Sequence, residues 1–125
     1  MLYHKKLSDE WVEKINELHT EMSKTYQIQF IGRAKKQKTI INHDYVIEKL
    51  SIHGKEYTFK HIENSFTQPN AAVKCHMIEW VASHTQSIAG DLLELYCGAG
   101  NFTIPLSDYF DNVMATEISK TSVNA

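Results

Sequence analysis

The sequence predicts an α/β protein with two parts. Residues 1–64 are expected to form a small α+β domain with antiparallel strands, and residues 65–125 the start of a Rossmann-like domain with its first strand–helix–strand. Three observations support this division. Alternating apolar and polar residues in the first half indicate half-buried strands. Pro69 and Asn70 then interrupt the chain before a helical pattern. After that helix come a short apolar run, a glycine turn and a second strand candidate that ends in an acid.

Length and composition limit the size of the core and the classes of protein to which the chain can belong. The chain has 125 residues and 42% apolar content, enough for one modest core. It has no apolar run long enough to span a membrane and no apolar segment of a secretory signal, so a cytoplasmic location is expected. Cys75 and Cys97 are too few for a disulfide framework or a zinc site. None of the seven histidines has a partner at metal-ligand spacing, so no metal is expected.

Charge is distributed unevenly along the chain. Residues 1–60 contain 11 Lys and Arg against 8 Asp and Glu, a balance of +3, whereas residues 61–125 contain 2 against 7, a balance of −5. This split favours two units with different partners.

A doubly wound sheet needs about five strands or more, and only its first two are predicted here. The sequence is therefore expected to be a piece of a longer protein.

One helix is predicted in the first half, after a short strand within residues 1–7. Ser8 is a good N-cap for a helix over about residues 9–24, and the acidic Asp9 and Glu10 suit its first turn. An apolar stripe at four-three-four spacing gives this helix a buried face. The stripe consists of Trp11, Ile15, Leu18 and Met22.

Strands are predicted on both sides of a cluster of positive charge. Residues 26–31 alternate as a half-buried strand that Gly32 is expected to end, and residues 45–52 and 56–63 flank a tight hairpin turn at His53-Gly54-Lys55. Between them lie four cations within six residues, namely Arg33, Lys35, Lys36 and Lys38. Two interpretations fit this cluster: a loop that contacts phosphates, or a solvated hairpin tip, which composition alone favours.

The second half begins with a helix predicted from Ala71 to about Thr85, with Asn70 as its N-cap. Its apolar face consists of Val73, Met77, Trp80 and Val81. This helix is expected to pack on the sheet beside the glycine turn, so that the loop before it closes over the same pocket. Gln68 in that loop is a candidate polar contact, although a Gln that bonds local backbone is the commoner case.

The glycine turn gives the main functional hypothesis. Asp91 to Leu95 is the length of one buried strand, and it leads into Gly98-x-Gly100 and a segment that can be helical. Glycines allow a ligand close to the backbone, and the first helical turn offers free N–H groups. Glu117 ends the next strand at about the ~20-residue spacing at which an acid meets ribose hydroxyls in nucleoside-binding folds.

The type of nucleoside follows from a missing glycine. The dinucleotide fingerprint needs a third glycine where this chain has Thr103, which disfavours a pyrophosphate and a nucleotide-dependent oxidoreductase. A nucleoside without phosphates, such as S-adenosylmethionine, fits better. The plain alternative is that Gly98 and Gly100 only turn the chain after a core strand, and these residues alone leave both interpretations open.

Six stretches of the sequence form a set of motifs: Ser65-Phe-Thr-Gln-Pro-Asn-Ala71, Asp91-Leu-Leu-Glu-Leu-Tyr-Cys-Gly-Ala-Gly-Asn-Phe102, Ala115-Thr-Glu-Ile118, Tyr3-His-Lys-Lys-Leu7, Ile31-Gly-Arg-Ala34 and Gly54-Lys-Glu56. Together these motifs resemble the RNA uracil-5-methyltransferase family, most closely its bacterial transfer-RNA branch, which makes 5-methyluridine in the T-loop. The resemblance covers nearly the whole chain, and the first two motifs at this separation are specific.

This resemblance implies S-adenosylmethionine as methyl donor and the T-loop of tRNA as partner. It also implies that the cofactor is contacted by Gln68, Tyr96, Asn101 and Glu117, with Gly98 keeping the backbone close. The family's reaction needs a cysteine that adds to uracil C6 and a base that removes the C5 proton. Neither Cys75 nor Cys97 matches the context of that nucleophile, so no catalytic residue is expected before Ala125.

Two further expectations follow for the isolated chain. It should be inactive alone, and an open sheet edge could let it self-associate. The first half resembles the family's smaller domain, which helps to hold RNA, and this makes the phosphate-contact interpretation of residues 33–38 as good as the solvated tip. A non-catalytic RNA-binding module is the alternative function.

Overall fold

The computed structural model describes residues 2–3 and 6–124 as a mixed α/β fold in two compact units, Met1–Asp44 and Tyr45–Ala125. A 3₁₀ turn, Ser107–Tyr109, follows the third helix. Within the described residues no helix is long and apolar enough to cross a membrane. The strands and helices are β1 (Leu2–Tyr3), α1 (Asp9–Met22), β2 (Phe30–Ala34), β3 (Gln37–Ile41), β4 (Tyr45–Ile52), β5 (Lys55–Ile62), α2 (Ala71–Thr85), β6 (Asp91–Leu95), α3 (Thr103–Leu106), β7 (Asn112–Thr116) and α4 (Lys120–Val123).

The first unit combines α1 with a three-stranded sheet in the order β1-β2-β3. The β1 strand pairs parallel with β2, which pairs antiparallel with β3. Ser8 caps α1 as predicted, because its side chain accepts a hydrogen bond from the backbone N–H of Trp11 at 3.2 Å. Of the predicted stripe, Ile15 is buried and Leu18 is exposed. The strand predicted over residues 1–7 is described only as β1, since Met1, His4 and Lys5 lie outside the described residues.

The second strand differs from its prediction. It begins at Phe30 and runs through Gly32 to Ala34, whereas residues 26–29 are not in a strand, so the predicted limits were wrong. Gly32 does not end the strand because its missing side chain makes room for an aromatic ring. A Cβ atom at Gly32 would lie 2.4 Å from Cη2 of Trp11. This glycine is therefore needed for close packing of α1 on the sheet.

The basic cluster forms the hairpin between β2 and β3. Lys35 and Lys36 are its two exposed turn residues, and Lys36 has the left-handed φ of 58°. Arg33 and Lys38 face each other across the two strands. The ammonium group of Lys38 donates to the carboxylate of Asp44 at 2.7 Å. Two of the four cations are thus at a solvated tip, and the other two lie in strands.

The second unit begins with the predicted hairpin of β4 and β5, which pair from Tyr45↔Ile62 to Ile52↔Lys55. His53 and Gly54 have φ of 47° and 80°, and two consecutive left-handed residues form the turn that matches strand twist. The hairpin and α2 share one core, made of Leu50, Ile52, Tyr57, Phe59 and Ile78. Because of this packing, the compact units divide before β4. The domain boundary between residues 64 and 65 stays a prediction.

The α2 helix has the predicted limits, and the side chain of Asn70 accepts from the N–H of Val73 at 3.1 Å. Its apolar face, on a helix predicted to pack on the sheet, is largely exposed. The buried residues are Lys74, Ile78 and Ala82, whereas Trp80 is 63% exposed. The hairpin packs against the face that contains Ile78. An apolar surface groove therefore remains on α2, lined by Val73, His76, Met77, Trp80, Val81 and Phe102.

The glycine turn lies between two parallel strands. β6 and β7 pair in register from Asp91↔Asn112 to Leu95↔Thr116, and α3 with its 3₁₀ turn is the crossover. The strand predicted to be buried is covered on one face only, since Leu93, Leu95 and Met114 are more than half exposed. This strand–helix–strand arrangement positions the candidate site at the carboxyl ends of β6 and β7.

Candidate functional site

The loop after β6 has an unusual backbone conformation. Tyr96, Gly98 and Gly100 have left-handed φ of 61°, 61° and 75°. The N–H of Cys97 donates to the carbonyl of Thr116 at 3.0 Å, which fastens the loop to the end of β7. In open α/β sheets, ligands bind beyond the carboxyl ends of the strands. The loop therefore lies where such a fold presents its backbone to a ligand.

Glu117, the first residue after β7, accepts hydrogen bonds from this loop. Its Oε2 accepts from the N–H of Gly98 at 2.8 Å, and its Oε1 from the N–H of Ser119 at 2.7 Å. These N–H groups, Ser119 first, lower the pKa of the Glu117 carboxyl below its ordinary value. An ionised carboxylate can accept about four hydrogen bonds. Each oxygen of Glu117 therefore keeps capacity for a further donor, such as a hydroxyl.

An open cavity of about 300 Å³ lies beside this carboxylate. Tyr96 contributes a side chain that is 83% exposed. Its volume is at the lower end of the range for small-molecule sites, roughly 300–1,000 Å³. The lining residues are Leu95, Tyr96, Thr116, Glu117 and Ile118. Two of the predicted cofactor contacts, Tyr96 and Glu117, thus share one cavity, and Gly98 bonds directly to the second.

The other two predicted contacts are placed differently. Asn101 is buried just after the glycine turn, and its Oδ1 has no hydrogen-bond partner among the described residues. A buried acceptor of this kind usually has a partner. Gln68 is half-buried in the segment before α2 and is not among the residues that line the cavity. The contact predicted for Gln68 therefore stays a prediction, as do the ligand roles of the other residues.

Cys97 is in an environment that disfavours the thiolate. Burial raises the pKa of its thiol, and the negative charges of Glu94 and Glu117 raise it further. A protonated thiol is a poor nucleophile. Cys97 lies in the glycine turn, and its absence from covalent catalysis stays a prediction.

Thr103 occupies the position where a dinucleotide site would have a glycine. Its hydroxyl donates to the carboxylate of Glu94, which joins the start of α3 to β6. The sequence reasoning missed this contact, because it treated Thr103 only as an absent glycine. The hydrogen bond gives the side chain at this position a structural use.

A second set of contacts joins the crossover to the hairpin. Asp108 Oδ2 accepts from the hydroxyl of Tyr57 at 2.7 Å and from the ammonium group of Lys55 at 2.5 Å. Asp108 lies in the 3₁₀ turn after α3, and both partners lie in β5. No sequence pattern predicted this anchor, since about fifty residues separate its partners.

Among the described residues, no group of three or more His, Cys, Asp or Glu side chains is placed to hold a metal ion.

Comparison with known families decides the assignment. The model of the tRNA (Uracil-5-)-methyltransferase family matches residues 1–125. This chain belongs to that family. The resemblance inferred from the motifs is thereby confirmed.

Similar curated proteins are tRNA (uracil-5-)-methyltransferase family members about three times as long. A tRNA/tmRNA (uracil-C(5))-methyltransferase of Pseudoalteromonas atlantica is 55% identical over 125 residues, covering 100% of this chain and 34% of the relative. The protein of the same name from Yersinia enterocolitica is 50% identical over 126 residues, with the same coverage. This chain therefore spans about a third of the length of these relatives.

A solved structure supports the fold of this family member. It is the T. Thermophilus 16S rRNA N2 G1207 methyltransferase in complex with AdoMet and guanosine. The TM-score is 0.55 at 17% identity, and the likeness covers 90% of this chain and 34% of that one. At this identity the likeness concerns the fold alone.

Proposed function

We propose that the protein to which these 125 residues belong methylates C5 of uridine in the T-loop of tRNA, or of tRNA-like RNA, with S-adenosylmethionine as methyl donor. Family membership supports the reaction class. The observation that carries the cofactor assignment is the hydrogen bond between the carboxylate of Glu117 and the N–H of Gly98. A nucleoside site of this kind requires a glycine turn after one strand and an acid after the adjacent strand. This hydrogen bond joins the two.

The residues present fit this cofactor. Glu117 would accept the ribose hydroxyls with the capacity left on its two oxygens. Tyr96 would line the nucleoside cavity, and the buried Oδ1 of Asn101 would accept from the ligand. Gln68 would close the pocket from the segment before α2. When bound, S-adenosylmethionine supplies an electrophilic methyl group on its sulfonium sulfur.

The same proposal includes a Rossmann-like assignment for residues 65–125. The parallel pairing of β6 with β7 across a helical crossover supports it, as does the fold likeness to a methyltransferase. Residues 1–64 would be the small domain that helps to hold RNA. We infer that the catalytic cysteine and base of the family lie outside these 125 residues, and for Cys97 the raised pKa of its thiol supports this inference. We also infer a cytoplasmic location, where tRNA is found.

Calorimetry of the full-length protein with S-adenosylmethionine tests the cofactor role. Glu117→Ala should weaken binding strongly, because the ribose hydroxyls lose their acceptor. Asp111→Ala is the matched control, since Asp111 is an exposed acid just before β7, at the opposite end of that strand. Affinity unchanged in Glu117→Ala would reject the proposed role of this carboxylate.

For the 125-residue chain alone we expect no methylation and weak or undetectable cofactor binding. Tight binding by this chain would contradict the proposal. Self-association is expected as well, because the apolar groove on α2 and the outer face of β6 are exposed. Sedimentation of the chain should then show dimers or larger species. Trp80→Glu should reduce them, and Ala89→Glu, in the exposed loop after α2, should not.

A second candidate function is a non-catalytic RNA-binding module. The exposed Lys35 and Lys36 at the tip of the β2–β3 hairpin favour it. It predicts salt-sensitive binding of a T-loop hairpin by the chain alone, lost when Lys35, Lys36 and Lys38 are neutralised. Absence of binding at low salt would remove this candidate.

A further inference from the structure

Three backbone N–H groups of the glycine turn are occupied by hydrogen bonds within the protein. The N–H of Gly98 donates to the carboxylate of Glu117 at 2.8 Å, and the N–H of Cys97 donates to the carbonyl of Thr116 at 3.0 Å. The N–H of Gly100 donates to the carbonyl of Cys97, also at 3.0 Å. Phosphate sites on turns of this kind depend on free N–H groups that point at the ligand. These three donors are therefore unavailable to an anionic ligand.

The same turn offers hydrogen-bond acceptors instead. Both oxygens of Glu117 keep capacity for a further donor. Oδ1 of Asn101 is buried in the turn and has no partner among the described residues. Because buried polar atoms are normally paired, such an acceptor calls for a donor from outside the chain. A ligand that brings hydroxyl or ammonium donors therefore fits this turn better than a phosphate does.

A second carboxylate adds negative charge to the turn. Glu94, in β6, accepts a hydrogen bond from the hydroxyl of Thr103, the first residue of α3. This bond holds the charge of Glu94 at the place where a dinucleotide site would have a glycine and a pyrophosphate nearby. The charges of Glu94 and Glu117 both reach the turn, because both raise the pKa of the Cys97 thiol within it.

No cation of this part of the chain offsets these charges. Residues 91–117 contain three Asp and two Glu but no Lys or Arg. From β5, Lys55 pairs with Asp108, in the 3₁₀ turn that follows α3. Lys74 of α2 is buried against an acid of β4, and Lys120 of α4 is exposed, so that solvent screens its charge. The glycine turn is therefore left with negative charge.

We propose that Glu94, held in place by Thr103, is a specificity-determining residue of the methyl-donor site. Its charge favours a cationic nucleoside over the uncharged product and over nucleotides that carry phosphates. This inference rests on the proposed function. S-adenosylmethionine carries one positive charge more than S-adenosylhomocysteine, the thioether that remains after methyl transfer. A fixed negative charge beside the site stabilises the first ligand relative to the second, and so promotes exchange of product for fresh donor.

Ratios of affinities, measured by calorimetry in the full-length protein, test this role. Glu94→Gln removes the charge but keeps an oxygen that can accept from Thr103. The affinity for S-adenosylmethionine relative to S-adenosylhomocysteine should fall roughly threefold, the order that Coulomb's law gives for a unit charge several ångström away in a solvent-like medium. The affinity for adenosine monophosphate relative to adenosine should rise by a similar factor. A structural defect would weaken both ligands of a pair together. An unchanged ratio in either pair would overturn the inference.

Two controls separate this inference from its alternatives. Asp111→Asn removes the same charge from an exposed position at the opposite end of β7 and should leave both ratios unchanged. An equal change in Asp111→Asn would show that net charge alone is responsible, and the role of Glu94 would fall. Glu117→Ala reports on the proposed function itself. If it binds S-adenosylmethionine as the native protein does, the proposed function fails. If it binds weakly while Glu94→Gln keeps the native ratios, only the role of Glu94 fails.

A second pair of variants covers the case in which Glu94→Gln does not fold. Thr103→Val keeps the shape of the side chain but removes the hydroxyl, so that the carboxylate of Glu94 is released from the start of α3. Thr103→Ser keeps the hydroxyl. The ratio for methyl donor and product should fall in Thr103→Val and stay native in Thr103→Ser. A native ratio in Thr103→Val, or the same fall in both variants, would overturn the inference.

Discussion

The backbone N–H of Gly98 lies 2.8 Å from a carboxylate oxygen of Glu117, although 19 residues separate the two in sequence. This bond fixes the distance between the glycine turn and the end of β7. It also determines how the site should respond to acid.

Cofactor affinity should persist well into the acidic range. The N–H groups of Ser119 and Gly98 lower the pKa of Glu117 from its ordinary value of 4.5. The carboxylate therefore stays ionised as pH falls through the ordinary range. Its contribution to folding, and the ribose contact proposed for it, are lost only as pH falls through the lowered pKa. Titration of affinity for S-adenosylmethionine in the full-length protein measures this. A loss of affinity centred above pH 4.5, in a protein that remains folded, would contradict it.

Asp108→Asn should destabilise the second unit by about 1 kcal/mol, because the hydroxyl of Tyr57 loses a charged acceptor. The exposed ion pair with Lys55 is screened by solvent and should add little. Urea unfolding followed by circular dichroism measures the change. Asp111→Asn is the matched control and should change stability by less than about 0.5 kcal/mol. Tyr57→Phe combined with Asp108→Asn should be less destabilising than the sum of the two, because they break the same bond.

The pH dependence of that anchor has a definite sign. The hydrogen bonds from Lys55 and Tyr57 lower the pKa of Asp108. A lowered pKa in the folded state means that the stabilisation is present above the unfolded pKa and disappears as pH falls through the folded one. The difference in stability between the native protein and Asp108→Asn should therefore shrink below about pH 4, the ordinary aspartate value. A difference that stays constant down to pH 2 would contradict the assignment.

Gly32→Ala should destabilise the first unit by about 1–3 kcal/mol, the usual cost of overpacking. The added Cβ atom would lie 2.4 Å from Cη2 of Trp11. Trp11→Leu removes the ring that clashes, so Gly32→Ala should cost much less in that background. Equal costs in both backgrounds, measured by urea unfolding, would show that backbone preference and not the ring demands glycine.

Neutralising Lys35 and Lys36 by substitution with Gln should weaken tRNA binding and reduce the salt dependence of the affinity. Each phosphate contact contributes about 0.7–0.9 to the slope of log K against log salt, so the loss should be about 1.5 if both lysines contact phosphates. The matched control is Lys14→Gln on α1 with Lys24→Gln just after it, which removes the same charge from pairs with Glu10 and Glu21. An equal effect of both double variants would indicate net charge alone.

Local signals predicted much of this fold. Asn70 and the apolar spacing predicted the limits of α2, and the turn at His53 and Gly54 predicted the hairpin. Helix caps and tight turns are determined by residues that are neighbours in the chain. They can therefore be predicted from one sequence. The spacing of Gly98 and Glu117 predicted that both would contribute to one nucleoside site, whereas their direct hydrogen bond was not predicted.

The predictions that were wrong or missing concern which face of a helix or strand is covered by another element of the fold. The helix α2 was expected to pack on the sheet beside the glycine turn, and its apolar stripe includes Trp80, yet the hairpin covers the face with Ile78 and Lys74 instead. Helical spacing identifies a stripe but not its partner, and here a lysine is buried because Glu48 in another element neutralises it. The anchor at Asp108 was missed for the same reason. Contacts between distant residues leave no periodic pattern.

The backbone conformation of Tyr96 lowers stability, but its side chain lines the cavity. A bulky residue in the left-handed region, here with a φ of 61°, lowers the free energy of unfolding by about 1–2 kcal/mol relative to glycine. Selection for heat tolerance alone would favour Tyr96→Gly. That exchange would also remove the aromatic wall from the mouth of the cavity. Stabilising substitutions should therefore be sought elsewhere in the chain, with position 96 held fixed.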